Sequence, residues 1–312
     1  MVDDIKNSDG KCLVVSVPIN NGIADFIGKK GAEDSLTYYN RIYNKDVIVA
    51  ITPTDLEDKF YGLAESLILS DQIILQPKEI NKLFGEILIA ASLTQKRIIL
   101  IEDDLLDYGK IDLLSKQLGI TLEKCNKENI IEKIEDYKVP EIDNSDKCRV
   151  DIDKSFVVKG AGTVVLGIVK KGEVKVHDKL YMKDSKEVVV RSIQSQDRDV
   201  QEAPLNTRVG LALKGVDPDE FKKGDTLTNY KLEPKKVING KIKLTEVNKE
   251  IINQNTNYLF ASNFSYTNAS VESFEGDSIT LNLDRMISIE TGDKFMLIRK
   301  NEPRIFAYGT VQ

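Results

Sequence analysis

The stretch "IDKSFVVKGAGTVVLGIVKKGEVKVHDKL" (residues 152–180) decides the fold. Its apolar, β-branched runs are broken by glycines and by the pair His177-Asp178. Such runs suit a pleated, half-buried surface. "KGAGTVV" sets small residues where a strand bends and packs closely, and Gly172 and His177-Asp178 read as turn punctuation. "EVVVRSIQSQ" (187–196) and "RVGLALKGV" (208–216) continue the pattern. From about residue 235 come "GKIKLTEV" (240–247), "YLFASNFSYT" (258–267), "ASVESFEGDSITLNL" (269–283), "DKFMLIRK" (293–300) and "RIFAYGTV" (304–311). Short strands in this density predict two small β-barrels or sandwiches.

Toward the N-terminus the period changes. "CLVVSV" (12–17), "VIVAI" (47–51), "QIILQ" (72–76) and "RIILI" (97–101) are continuous apolar runs, as in strands buried on both faces. Between them Phe60, Leu63, Ala64, Leu67 and Ile68 step by three and four, as do Ile80, Leu83, Phe84, Ile87, Leu88 and Ala91. Further helices are predicted near 108–118 and over "KENIIEKIEDY" (127–137), with "GITLE" (119–123) as a short strand. The alternation predicts a mostly parallel sheet with helices on both faces. "KVPEIDNSDK" (138–147), with Pro140, reads as the linker to the β-rich part. The chain is therefore expected to be multidomain, α/β plus all-β. A parallel-sheet domain occupies residues 1–144, and barrels occupy 145–232 and 233–312.

Charge is unevenly spread. Residues 1–145 carry 17 basic and 26 acidic side chains, residues 146–232 carry 17 and 14, and the remainder carry 10 and 10. An acidic chain is a poor general binder of phosphate backbones, so DNA is not an expected partner; only the middle segment leans the other way. The three cysteines have no metal-binding or disulfide spacing, which fits a reducing, cytoplasmic setting, and no metal or cofactor is expected. No apolar run could span a membrane, and the N-terminus lacks a secretion signal. His177 is the sole histidine, and its turn setting reads as structural rather than catalytic.

The β-rich segments "IDKSFVVKGAGTVVLGIVKKGEVKVHDKL" (152–180), "VRSIQSQDRDVQEA" (190–203) and "RVGLALKGVDPDEFKKGDTL" (208–227) resemble the second domain of translational GTPases of the elongation factor Tu group. The likeness is strongest to the selenocysteine-specific elongation factors, above all the archaeal ones, and the chain's AT-rich-genome composition suits an archaeon. "ISIETGDKFMLIRKNEPRIFAYGTV" (287–311) resembles the end of the third domain. The resemblance implies that the N-terminal domain is GTPase-like.

Three nucleotide-binding motifs are then expected there. A phosphate loop needs glycine, four residues, then Gly-Lys-Ser/Thr, whose amides, lysine and hydroxyl hold the phosphates and magnesium. In "PINNGIADFIGKKG" (18–31) Gly22 and Gly28 are one residue too far apart, and Lys29 is followed by Lys30. The better alignment sets "NNGIADF" against the family's "DHGKTTL". Asn21 and Gly22 match its His-Gly, Ile23 stands at the lysine position and Ala24 at the threonine. In the Asp-x-x-Gly turn, Ile51 replaces the aspartate and Thr54 the glycine. In the guanine-reading Asn-Lys-x-Asp, Glu102 and Asp103 replace the first two residues and Leu105 falls near the aspartate position. The domain thus reads as a pseudo-GTPase.

In the second domain the resemblance implies a pocket for the aminoacyl end of tRNA, formed here by Asp153, Lys154 and Arg208. Archaeal members tend to have histidine where Lys154 stands. The residues by themselves read equally as a solvated strand-start pair and a barrel-edge charge. Lys159, Lys170, Lys171, Arg191, Arg198, Lys222 and Lys223 could meet an acceptor stem or serve as ordinary surface charge. Because the sequence stops at Gln312, the family's fourth, messenger-gripping domain is not expected. The function expected is non-catalytic, translation-factor-like binding of tRNA, the ribosome or another translation protein, by a monomer. Two alternatives stand beside it: a protein-binding regulator that uses the acidic domain, and a divergent GTP-binding factor.

Overall fold

A computed structural model of the chain describes residues 10–56, 60–139, 146–244, 252 and 257–312. The N-terminal residues 1–9, most of the expected linker (140–145) and the end of one expected strand (245–247) lie outside them. The described residues fall into two compact units, one within 1–87 and 95–140, the other within 88–94 and 141–312.

The first unit is built on a seven-stranded sheet, ordered β2-β3-β4-β1-β5-β6-β7. The four apolar runs form β1 (Cys12–Ser16), β4 (Asp46–Pro53), β5 (Gln72–Leu75) and β6 (Arg97–Ile101). With β7 (Leu122–Cys125) they run parallel. Two strands lay hidden in the polar stretch: β2 (Lys29–Glu33) and β3 (Leu36–Tyr43), both antiparallel to their neighbours. The sheet is therefore mixed rather than purely parallel.

Side chains alternate across this sheet. Leu13, Val15, Ile48, Ala50, Ile74 and Ile99 pack on one face beneath α1 (Ile23–Ile27) and α5 (Ile130–Glu135). On the other face α2 (Tyr61–Leu69) lies against β1 and β4, with Ser16 Oγ bonded to Ser66 Oγ at 2.9 Å. Lys96 caps α2, its ammonium donating to the carbonyls of Leu67, Ile68 and Ser70. The remaining helices are α4 (Tyr108–Leu118), capped by Asp107, and α3 (Lys82–Thr94), capped by Asn81, whose residues 88–94 group with the second unit. No helix among the described residues is long and apolar enough to cross a membrane.

The second unit holds two barrels. The first contains β8 (Arg149–Val158), β9 (Gly162–Lys171), β11 (Lys179–Tyr181), β12 (Glu187–Ser195), β15 (Arg208–Lys214) and β16 (Thr226–Thr228), closed by the β11–β12 pairing. The short strands β10 (Val174–Lys175), β13 (Arg198–Val200) and β14 (Glu202–Ala203) flank it. Gly160 and Gly162 turn the chain from β8 into β9 at φ of 90° and 84°, a conformation that favours glycine. The second barrel closes in the order β17-β20-β19-β18-β21-β22. These strands are Lys235–Leu244 (β17), Asn257–Ser262 (β18), Ser265–Glu275 (β19), Ser278–Ile287 (β20), Lys294–Ile298 (β21) and Ile305–Val311 (β22). Phe295 fills its interior so closely that a Cβ on Gly309 would lie 2.3 Å from the ring.

A buried ionic network joins the two barrels. Arg149 donates to Asp151, two residues along β8, at 2.6 Å and to Asp293 of the second barrel at 2.7 Å, with Glu290 at 3.4 Å. Tyr230 adds a hydrogen bond from its hydroxyl to Glu290 at 2.8 Å. Burial opposes the charge on Arg149, but Asp151 and Asp293 more than offset it and raise its pKa. Burial pulls Asp151 the other way, raising its carboxyl. The short two-point contact favours the ionised pair.

Candidate functional site

The parallel strands of the first unit end on one edge, where open α/β sheets bind their ligands. The three motif positions read from the sequence gather there. Beyond β1, Asn20 folds its side chain back on the chain. Its Oδ1 accepts hydrogen bonds from the Gly22 and Ala24 amides at 3.0 and 3.1 Å. Its Nδ2 lies 3.2 Å from Asp25 Oδ2 and 3.3 Å from the Tyr39 hydroxyl. Asn21 Nδ2 donates to the Gln76 carbonyl, just past β5, at 2.6 Å. Gly22 takes a left-handed turn at φ 92°. Ile23 and Ala24 are then fully buried, packed in the core with Leu13, Val15 and Ile48. The helix ends after five residues, and Gly28 leads into exposed Lys29 and Lys30 on β2.

Ile51, at the second motif, is also fully buried, in register with Ser16 and Tyr38. The Thr54 amide donates to Ser35 O at 3.0 Å, and its hydroxyl bonds the Asp34 carbonyl. These bonds tie the end of β4 to the β2–β3 connection.

At the third motif the loop 102–107 carries acids. The Glu102 amide donates to Cys125 O at 3.0 Å, and its side chain faces solvent. Asp103 organises the loop: its Oδ1 accepts from the Leu105 amide at 3.0 Å, while its own amide donates to the Tyr108 hydroxyl at 2.9 Å. Leu105 is 89% exposed.

The second candidate lies on the first barrel. A bulge in β8 between Ile152 and Lys154 separates two adjacent charges. Asp153 turns inward and is buried, whereas Lys154 stays exposed. Arg208, at the start of β15, approaches Asp153 to 3.5 Å. Lys223, from the turn before β16, approaches it to 3.7 Å and lies 5.7 Å from the centre of the Phe264 ring. Asp153 and Arg208 are thus brought together, Lys154 stands apart, and Lys223 joins them although the sequence placed it among the general surface cations.

The family described as elongation factor Tu domain 2 matches residues 162–228. The chain is 31% identical to "Uncharacterized protein MJ0325" of Methanocaldococcus jannaschii, over 89% of this chain and 91% of that one. It is 27% identical to the selenocysteine-specific elongation factor of the same organism over 66% of its own length, and spans about half of that relative (49%). In fold it is similar to the crystal structure of translation elongation factor SelB from Methanococcus maripaludis with the GTP analogue GppNHp. The TM-score is 0.82 at 20% identity, covering 97% of this chain and 79% of that one. A bacterial selenocysteine-specific elongation factor, EF-Sec, also gives 0.82, at 17% identity, covering 96% and 58%. The architecture is that of the elongation factor Tu group. The chain belongs to the translational GTPase superfamily, related to the selenocysteine-specific factors, and within it to the family of MJ0325.

Proposed function

We propose that this chain is a non-catalytic translation-factor-like protein that binds the aminoacyl end of a tRNA through its barrels and neither holds nor hydrolyses GTP. The observation that carries the nucleotide half of this reading is the Asn20 loop. Its side chain already occupies the Gly22 and Ala24 amides, and the lysine and threonine positions hold buried Ile23 and Ala24. A cradle for phosphates needs free amides and a cation, and losing the lysine removes a charge-assisted partner. Ile51 and Leu105 extend the same substitution to the magnesium and guanine positions.

Asp153, Arg208 and Lys223 support the RNA half. A carboxylate facing two cations in a half-sheltered niche can order an amino group and an anionic side chain of an aminoacyl ester at once. The selenocysteine-specific relatives make an ionised selenol one chemically suitable occupant.

Calorimetric titration with GTP and GDP, with and without magnesium, tests the first half; no binding at millimolar nucleotide is expected. Filter binding of aminoacylated against deacylated tRNA tests the second. Arg208→Ala is expected to lower the preference for the aminoacylated form at least five-fold. Equal binding of both forms, or none, overturns the RNA half. The protein-binding reading is favoured by one separate feature, the acidic loop that displays Leu105.

A further inference from the structure

We propose that the loop 102–107 and the exposed face of α4 form a docking surface for a basic, amphipathic protein segment that lays its apolar face over Leu105. The inference stands apart from the tRNA reading, since it concerns the other unit and a different class of partner. Leu105 is 89% exposed and Leu113, on the first half of α4, is 57% exposed. A scattered exposed leucine means little. Leu105, however, is held out by structure rather than left loose. Asp103 Oδ1 takes its amide at 3.0 Å, the Leu106 amide donates to Asp103 O at 3.1 Å, and the Tyr108 hydroxyl bonds the Asp103 backbone on both sides. Lys124 covers the Tyr108 ring at 4.6 Å and steadies the anchor. A side chain fixed in its outward position loses little further freedom when a partner closes over it.

The charge around the leucines selects the partner. Between residues 102 and 113 the acids are Glu102, Asp103, Asp104, Asp107 and Asp112, against one base, Lys110. Lys110 is paired with Asp107 at 3.3 Å, and Asp112 with Lys124 at 3.6 Å. Glu102 and Asp104 stand exposed beside Leu105. Such a rim repels RNA and steers a lysine- or arginine-rich protein surface toward the apolar knob.

The chain contains no tryptophan, so a tryptophan placed in a peptide reports binding directly. The full chain would be titrated with an amphipathic Leu/Lys helix peptide carrying one tryptophan, and with its Leu→Ser counterpart, at low and moderate salt. The Leu/Lys peptide is expected to bind at least five-fold tighter than the counterpart. Leu105→Ala and Asp104→Lys are each expected to weaken it at least five-fold, and amide exchange should slow in residues 102–113. Both substitutions lie on the exposed rim and leave the fold intact, which far-ultraviolet circular dichroism verifies. Equal binding of the two peptides, indifference to Leu105→Ala, or protection elsewhere overturns the proposal. So does tighter binding of tRNA than of peptide at this loop.

Discussion

The sheet edge of the first unit and the niche on the first barrel hold the candidate residues of the two units, and they are built in different ways. At the edge the candidate positions are core: Ile23, Ala24 and Ile51 are fully buried, and Asn20 accepts from the Gly22 and Ala24 amides. On the barrel the candidate positions are charged, with Asp153 facing Arg208 and Lys223. Burying charge without a partner is costly, so an idle charged niche drifts readily toward apolar residues. An edge that has been filled by aliphatic side chains gains stability instead. Under the proposed function, the contrast assigns ligand binding to the second unit.

The sharpest way to break this contrast is to build phosphate-loop chemistry into the edge. Ile23→Lys with Ala24→Thr places an ammonium in a core that includes Leu13 and Ile48. We expect a loss of roughly 4–5 kcal/mol and no gain of GTP affinity. Normal thermal stability together with micromolar GTP binding would show that the edge is still a nucleotide site.

Next in size is the seam between the barrels. Arg149→Ala strands Asp151 and Asp293 without their cation and should cost about 3–5 kcal/mol. Arg149→Lys, which keeps the charge and loses the fork, should fall between. Amide exchange in β8 and β21 reads the effect in the second unit. Unchanged exchange in Arg149→Ala would mean that the barrels hold together by apolar contact alone.

Asn20→Ala sharpens the reading of the edge more gently. It frees the Gly22 and Ala24 amides and should cost about 1–2 kcal/mol, with faster exchange at both. If exchange there stays slow, other groups satisfy the loop and Asn20 is not what closes it.

Much of this organisation could be read in the chain because burial on two faces writes continuous apolar runs. Each of "CLVVSV", "VIVAI", "QIILQ" and "RIILI" became a strand of the parallel core. The hairpin β2–β3 escaped for the opposite reason. Every residue of "KKGAE" is exposed, and β3 hides its apolar face among tyrosines and polar residues. The barrel niche was visible only through family resemblance. Asp153, Arg208 and Lys223 lie far apart in sequence, and the bulge that turns Asp153 inward while leaving Lys154 outside has no local signature. Asn20 was missed because an asparagine two residues before a glycine reads as a turn, and its contacts with the Gly22 and Ala24 amides leave no mark in the sequence.

The smallest effect concerns what holds the first unit together at its charged surface. Arg97 clamps Glu123 through two hydrogen bonds of 2.8 and 2.7 Å, and Lys133 adds a contact at 2.9 Å. The hydrogen bond from Arg97 lowers the Glu123 pKa from 4.5 to about 2. A carboxyl depressed in the folded state stabilises fully above its unfolded pKa. That contribution fades as pH falls from 4.5 through about 2. The Glu123 side chain is 37% exposed, so solvent screening limits the gain to about 1 kcal/mol at neutral pH. Glu123→Gln should therefore be less stable than the parent at pH 7, by that amount, and should approach it as pH falls below about 2. Denaturant unfolding across this window, followed by amide exchange in β6 and β7, measures the gap. A gap that persists unchanged at pH 2 would assign the stabilisation to packing of the Glu123 stem. The first unit would then owe its cohesion to apolar burial even where its surface is charged.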